Sequence, residues 1–371
     1  MRNPRDKIVA TISLILLSFL LFTTFIYSTE NLSLSAKSAV LYEPETKSFL
    51  YRKNDSLRLP MASTTKIMTA LVALERENPK SLVTIPKEAC GVEGSSLYLK
   101  EGEVFTLIDL LYGVMLRSAN DAAEAIAYHV SGSIEDFCVL MNEKARDLGL
   151  ENTSFKNPHG LDHEEHYTTA AELALITAEA LKNETFKEIV STYKKTITNL
   201  DGEARLIVNH NKLISLYDGA IGVKTGFTKR SGRSLVGAAE RGGLTLISVT
   251  INAPDDWSDH EKLFNYGFDR IERKTLAEPS KFSYSVPVIG SDKLRIPVEN
   301  SEALSIILPK GTNVNKQIKL ERYLTAPIKS GDTVGEIIFV AEEKIIGRIS
   351  LIAKEDANAP KHKGLFSIFK D

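Results

Sequence analysis

The chain has 371 residues, 43% of them hydrophobic and 25% charged, with a formal net charge of −2. That length accommodates one large and one small domain; the composition is that of an ordinary globular protein, and the charge argues against a nucleic-acid partner. Its two cysteines, Cys90 and Cys138, make neither a disulfide framework nor a metal site.

Residues 1–36 read as a signal peptide or N-terminal membrane anchor, outside the fold. Arg2, Arg5 and Lys7 form a basic start, and Ile8 to Tyr27 is an apolar run without a charge. A run of about 20 residues is long enough to span a bilayer. Cleavage after Ser28, Ser35 or Ala36 fits the small residues there. With the basic end inside, the body is exported.

Ala36 to Lys53 reads as a β-hairpin, with a turn over Glu43 to Lys47 between apolar Ala39–Tyr42 and Phe49–Tyr51. Pro60 then introduces a helix from Met61 to Glu75. Ile67, Met68, Leu71, Val72 and Leu74 make it apolar on most sides, which predicts burial. Ser63 and Lys66, three residues apart, share a face of it. A serine hydroxyl needs a base within hydrogen-bond reach. Lysine can serve if desolvation or a neighbouring positive charge lowers its pKa, and burial supplies the first. Near the helix N-terminus, Ser63 also gains from the macrodipole as negative charge develops.

Leu107 to Leu116 is apolar and Asp121 to Val130 is helical, so Ser118-Ala119-Asn120 falls on a connector between helices. Ser118 suits a proton relay, and Asn120 can hold both Lys66 and a substrate amide. Taken alone, this motif is far better explained by a helix cap. Helical patterns continue to Lys194, with Cys138 in a core segment, Phe137 to Leu140. His163 and His166 lie on a loop-like stretch, where solvated side chains and no metal are expected.

Strands return from Val208 to Ile251. Ile221 and Val223 lead into Lys224-Thr225-Gly226. Gly226 permits close approach of a ligand to the strand edge. An extended substrate can add to that edge through backbone hydrogen bonds, leaving Lys224 and Thr225 to hold a carboxylate. His260 to Ile271 reads as a closing helix. Strands at both ends with helices between predict an α+β domain, an antiparallel sheet covered by helices, with Lys224 beside the Ser63 helix. The domain spans 37–273, and residues 274–280 read as a polar linker. Residues 281–353 show short alternating segments, including Leu294–Val298, Leu304–Leu308, Gln317–Leu320 and Ile337–Val340, and predict a small all-β domain. In the tail, 354–371, Leu365, Phe366, Ile368 and Phe369 form a short apolar face that reads equally as weak interfacial contact at best or as a frayed end.

Short motifs recur by chance. A second S-x-x-K stands at Ser191–Lys194 in a polar stretch, and Lys329-Ser330-Gly331 reads as a hairpin turn. Only the first copies bracket a Ser-x-Asn. The ordered set S-x-x-K, S-x-N and K-T-G is shared by class A β-lactamases and penicillin-binding proteins. Within that group the chain resembles the low-molecular-weight penicillin-binding proteins, the D-alanyl-D-alanine carboxypeptidases. The likeness includes Pro60-Met61-Ala62 before Ser63, Asn120-Asp121-Ala122-Ala123, Asn157-Pro158-His159-Gly160-Leu161-Asp162, His166-Tyr167-Thr168-Thr169-Ala170, and Lys224-Thr225-Gly226-Phe227-Thr228. It covers roughly Ala36 to Gly267 and a C-terminal segment of the kind these enzymes carry.

The resemblance implies a β-lactamase/transpeptidase-like domain followed by the small all-β domain. It makes Ser63 the acyl-ester nucleophile and Lys66 its proton acceptor, with Ser118 and Asn120 relaying and positioning. Lys224 and Thr225 would bind the substrate carboxylate, and the backbone amides of Ser63 and Phe227 would form the oxyanion hole. The implied substrate is a peptidoglycan stem ending in D-Ala-D-Ala, β-lactams are mimics that acylate Ser63, and no cofactor or metal is needed. Some relatives place an arginine beyond the strand after K-T-G, but Ala253 to Asp259 contains none. Rival readings are a DD-transpeptidase or endopeptidase on the same fold, a non-catalytic penicillin-binding cell-wall sensor, and a class A β-lactamase. The last needs a glutamate in an E-x-x-L-N element; Glu179 to Asn183 has the spacing but has Lys182 for the leucine, and a solvated helix glutamate explains it more simply.

Overall fold

The computed structural model describes residues 32–360. The chain divides into two compact units, one running to Glu240 and including Thr245–Asn265, the other made of Arg241–Leu244 and the residues from Tyr266 onward.

The first unit is built on an antiparallel sheet. Ser38–Glu43 (β1) and Ser48–Lys53 (β2) form the expected hairpin. Ala220–Thr228 (β3), Gly232–Arg241 (β4) and Leu244–Ile251 (β5) complete it in the order β2-β1-β5-β4-β3, leaving β3 at one edge. The helices are α1 (Lys66–Arg76), α2 (Leu107–Tyr112), α3 (Asn120–Ser131), α4 (Ile134–Asp147), α5 (Ala170–Ala180), α6 (Glu184–Ser191), α7 (Leu213–Leu216) and α8 (Asp256–Arg270). Side chains of Ser133, Thr169 and Asn183 cap α4, α5 and α6 by accepting from the amides of Asp136, Glu172 and Phe186. Every residue of α1 from Lys66 to Ala73 is buried, as its all-round apolar pattern requires. The core around it includes Ile67, Leu71, Leu110, Ile126, Phe137, Leu173 and Val236. Two short ribbons, Leu82–Thr84 with Val104–Thr106 and Lys194–Thr198 with Ala204–Val208, interrupt the stretch that reads as helical or loop in sequence.

The N-terminal boundary differs from expectation. Leu34 and Ala36 are buried, and Asp259 clasps the segment. Its carboxylate accepts from Ser35 N, Ser35 Oγ and Ala36 N, each at 2.9 Å. The chain is therefore packed from about residue 33, because these amides find a buried acceptor far away in sequence. The apolar run and the C-terminal tail face, Leu365 to Phe369, lie outside the described residues. No helix among the described residues is long and apolar enough to cross a membrane.

In the second unit, Ile271–Ala277 (β6) pairs with Leu304–Pro309, which overturns the expected linker over 274–280. Polar Lys274 and Thr275 suit a partly exposed strand, while Leu276 and Ala277 are buried. A six-stranded sheet forms the rest, around a core of Val286, Ile296, Val298, Ile337, Phe339, Ile349 and Leu351. The all-β expectation for this region holds. Ser330 and Gly331 occupy a turn before the strand Thr333–Ala341.

Candidate active site

Ser63 lies on a 3-10 turn, Ala62–Thr65, that runs directly into α1. The turn begins at Ala62 in the left-handed region, φ 48°, an unfavourable conformation for a residue with a Cβ. Thr64 Oγ1 donates to Met61 O at 2.6 Å, and Thr65 Oγ1 to Ala62 O at 2.8 Å. His166 adds a further support, 2.7 Å from Thr65 Oγ1. Its Nδ1 accepts from Lys156 N, so Nε2 carries the proton and donates to the threonine. His166 is 3% exposed and burial pushes its pKa down to about 3, so it is neutral at physiological pH. The expectation of a solvated loop histidine is thus corrected.

Lys66 is fully buried. Its Nζ lies 3.1 Å from Ser63 Oγ, 2.6 Å from Asn120 Oδ1 and 2.6 Å from His159 O. As an ammonium it donates to all three. As a neutral amine it donates to the two carbonyl oxygens and its lone pair accepts the Ser63 hydroxyl proton. Burial, first, and the positive charge of Lys224, second, hold its pKa well below the ordinary lysine value, with Asp121 opposing. The site therefore favours the form that can take a proton.

The other two acceptors come from distant segments. Asn120 opens α3, two residues after Ser118, which sits at φ 65°. Asn120 Nδ2 donates to Glu93 O, so part of the donor capacity expected for a substrate amide is already used. Ser118 lines the cleft but makes no hydrogen bond to Lys66. Neighbouring Asp121 is buried and accepts from the amides of Leu97 and Leu99, anchoring the loop that carries Ser95 to the cleft rim.

The carbonyl of His159 is presented by a turn that Asn157 shapes, accepting from Gly160 N and donating to Leu161 O. His159 Nδ1 accepts from Leu161 N, leaving Nε2–H to donate to Glu124 at 3.1 Å. Gly160 has φ 93°, and a Cβ there would lie 1.9 Å from Ala62 O. Only glycine lets this turn approach the turn that carries Ser63.

On the opposite side, Gly226 of β3 backs onto the same turn: a Cβ would lie 3.1 Å from Met61 O and 3.2 Å from Ser63 N. Lys224 is buried, donates to Thr225 O at 3.0 Å, and is pushed down to about 7 by desolvation. A cleft of about 400 Å³ opens between these elements, lined by Ser63, Ser118, Thr225, Gly226 and Phe227. His210, Lys212, Arg233, Asp256 and Trp257, which the sequence did not single out, line it as well.

The duplicate motifs form no comparable site. Ser191 ends α6 with its Oγ donating to Glu188 O, and Lys194 opens an exposed ribbon strand. Glu179 pairs with Lys144 and Lys182. Among the described residues no group of histidine, cysteine or acidic side chains could hold a metal. Cys138 is buried on α4, and desolvation raises its thiol to about 11.

Residues 26–255 match the family described as D-alanyl-D-alanine carboxypeptidase. The chain belongs to that family. Residues 272–359 match the C-terminal domain of penicillin-binding protein 5. D-alanyl-D-alanine carboxypeptidase DacF of Bacillus subtilis is 35% identical over 339 residues, 88% of this chain and 87% of that protein. Penicillin-binding protein 5 of Haemophilus influenzae is a structural neighbour with TM-score 0.66 and 29% identity, covering 89% of this chain and 100% of that one. A DD-transpeptidase of Streptomyces K15 aligns with TM-score 0.61 and 35% identity, over 64% of this chain and 99% of the other.

Gly160→Ala should force the two turns apart. We expect a loss of at least ~2 kcal/mol in denaturant unfolding, from the left-handed backbone and the clash, and a fall of ~100-fold or more in acylation by penicillin. Acylation should also titrate with Lys66. Its neutral form exists above its pKa, so the rate rises with pH through a value well below 10.5 and is lost on acidification. Lys224→Gln removes a neighbouring positive charge and should move that acid limb to higher pH, read from second-order rate constants.

Proposed function

We propose that this chain is a serine-type D-Ala-D-Ala carboxypeptidase that removes the terminal D-Ala from peptidoglycan stem pentapeptides. The observation that carries the reading is the buried Lys66 amine 3.1 Å from Ser63 Oγ, in a cleft walled by the Lys224–Gly226 strand.

Ser63 Oγ attacks the carbonyl carbon of the penultimate D-Ala while Lys66 takes its proton. The amides of Ser63 and Phe227 hold the resulting oxyanion. The C–N bond then breaks, and the proton passes through Ser118 to the departing D-Ala amine. Water attacks the acyl ester, releasing the tetrapeptide and restoring Ser63. Asn120 fixes the Lys66 amine, and Lys224 and Thr225 bind the terminal carboxylate. β-Lactams enter as mimics and acylate the same oxygen.

The enzyme acts outside the cytoplasmic membrane, where its substrate lies. Residues 1–36 direct export or anchor the chain. Cleavage after Ser28 would leave intact the Asp259 clasp on Ser35 and Ala36, whereas cleavage after Ala36 would remove it. The tail beyond residue 354 adds at most weak interfacial contact. The likeness to a DD-transpeptidase favours one alternative, in which an amine of another stem replaces water as acceptor.

Fluorescent penicillin should label the wild type and Ser191→Ala but not Ser63→Ala; the reverse pattern would overturn the assignment. Incubation with a stem pentapeptide should release free D-Ala without cross-linked product. Cross-linked peptide as the main product would establish the transpeptidase reading instead.

A further inference from the structure

A neutral Lys66 amine can take a proton from Ser63 only if its lone pair, and not an N–H bond, points at Ser63 Oγ. Its two N–H bonds and its lone pair occupy tetrahedral directions. Asn120 Oδ1 and His159 O, each at 2.6 Å, take both N–H bonds and leave the remaining direction to Ser63 Oγ at 3.1 Å. If either acceptor swings away, an N–H bond can turn toward Ser63 in place of the lone pair. The two acceptors differ in their support. Asn120 is part of α3, whereas His159 belongs to an irregular loop whose carbonyl has to be held from outside.

That support comes from the same helix. Asn120 and Glu124 are four residues apart on α3, one turn from each other on one face. Glu124 Oε1 accepts from His159 Nε2 at 3.1 Å. Both side chains are shielded from water, 6% exposed for His159 and 16% for Glu124. Leu161 N donates to the other ring nitrogen, Nδ1, so the proton stays on Nε2. Thr69 Oγ1 of α1 donates to Pro158 O and holds the loop one residue earlier. Among the described residues, Glu124 is the only hydrogen-bond partner of the His159 ring outside its own turn. Glu124 lies outside all three motifs and does not line the cleft, so its effect reaches the cleft through His159 and Lys66.

We propose that Glu124 is a positioning residue for the base: by gripping the His159 ring it fixes the His159 carbonyl, so that α3 orients the Lys66 amine twice, directly through Asn120 and indirectly through Glu124. This rests on the reading of Ser63 and Lys66 as nucleophile and base. Loss of Glu124 acts on the amine in two ways. A neutral Lys66 loses its fixed orientation, which slows acylation. An ammonium, which donates to all three oxygens, loses more than the neutral amine does, so the proton leaves at lower pH. The charged and titratable groups around the amine and its support are Lys224 from β3, Asp121 and Glu124 from α3, and His159 and His166 from the loop between α4 and α5.

The test measures penicillin acylation rate constants across pH for the full chain, Glu124→Ala, Glu124→Leu and Glu124→Gln, each expressed per site labelled at completion so that misfolded protein drops out. Leucine keeps bulk at the position without an acceptor and guards against collapse of the alanine variant. Both acceptor-free variants should lower the high-pH plateau by about 10-fold or more, on a scale where a 1 Å misplacement costs about 100-fold, and should move the acid limb to lower pH. Glu124→Gln keeps an acceptor oxygen and should stay within about threefold of the wild type. An unchanged plateau would overturn the role of Glu124, as would a fall by one factor at every pH with the limb in place, or a glutamine variant as slow as the leucine one. Wild-type protein that penicillin does not label at Ser63 would overturn the nucleophile and base reading and this proposal together.

Discussion

The burial of one amine organises the first unit of this protein. Lys66, the first residue of α1, has no exposed surface itself, and such a position penalises an ammonium by several kcal/mol even after relaxation. The fold answers with oxygens from separate segments: Ser63 from the preceding turn, Asn120 from the first residue of α3, and the His159 carbonyl from a loop. None lies on α1 itself. The Ser63–Lys66 geometry therefore exists only when the helices are packed, and positioning and desolvation of the amine are one physical event.

The same constraint explains the glycines. The His159 turn must come close enough to deliver its carbonyl, and β3 must come close enough to wall the cleft. Gly160 permits the first approach and Gly226 the second, both against the backbone of Met61 to Thr64. That short turn is held from below by Thr64, Thr65 and His166. The neutral histidine matters here, because a proton on Nδ1 would break its bond from Lys156 N. A serine clamped on three sides has little reorganisation left to make.

Much of this arrangement was legible in sequence. The i, i+3 spacing of Ser63 and Lys66 reports a shared helix face, the apolar run after them reports burial, and K-T-G reports a strand open to close approach. Backbone partners left no such trace: the His159 carbonyl has no side-chain identity, and only Asn157 and Gly160 around it hint at a shaped turn. His166 looked solvated because its acidic neighbours are, whereas its two ring nitrogens meet Thr65 and Lys156 N in the interior. Residues 274–280 looked like a linker because strand β6 is only partly buried. Arg233 leaves no linear signal, because it is the antiparallel register of β4, across from Phe227, that brings it to the cleft.

NMR would show whether burial and a neighbouring cation lower the pKa of the Lys66 amine. Protein carrying ¹³C- and ¹⁵N-labelled lysine, with Ser63→Ala to prevent turnover and Lys66→Met to assign the resonance, would be titrated in the absence of substrate. The Lys66 side chain should titrate well below the 10.5 of an ordinary lysine. A Lys66 resonance that stays in the ammonium form up to 10.5 or beyond would contradict it.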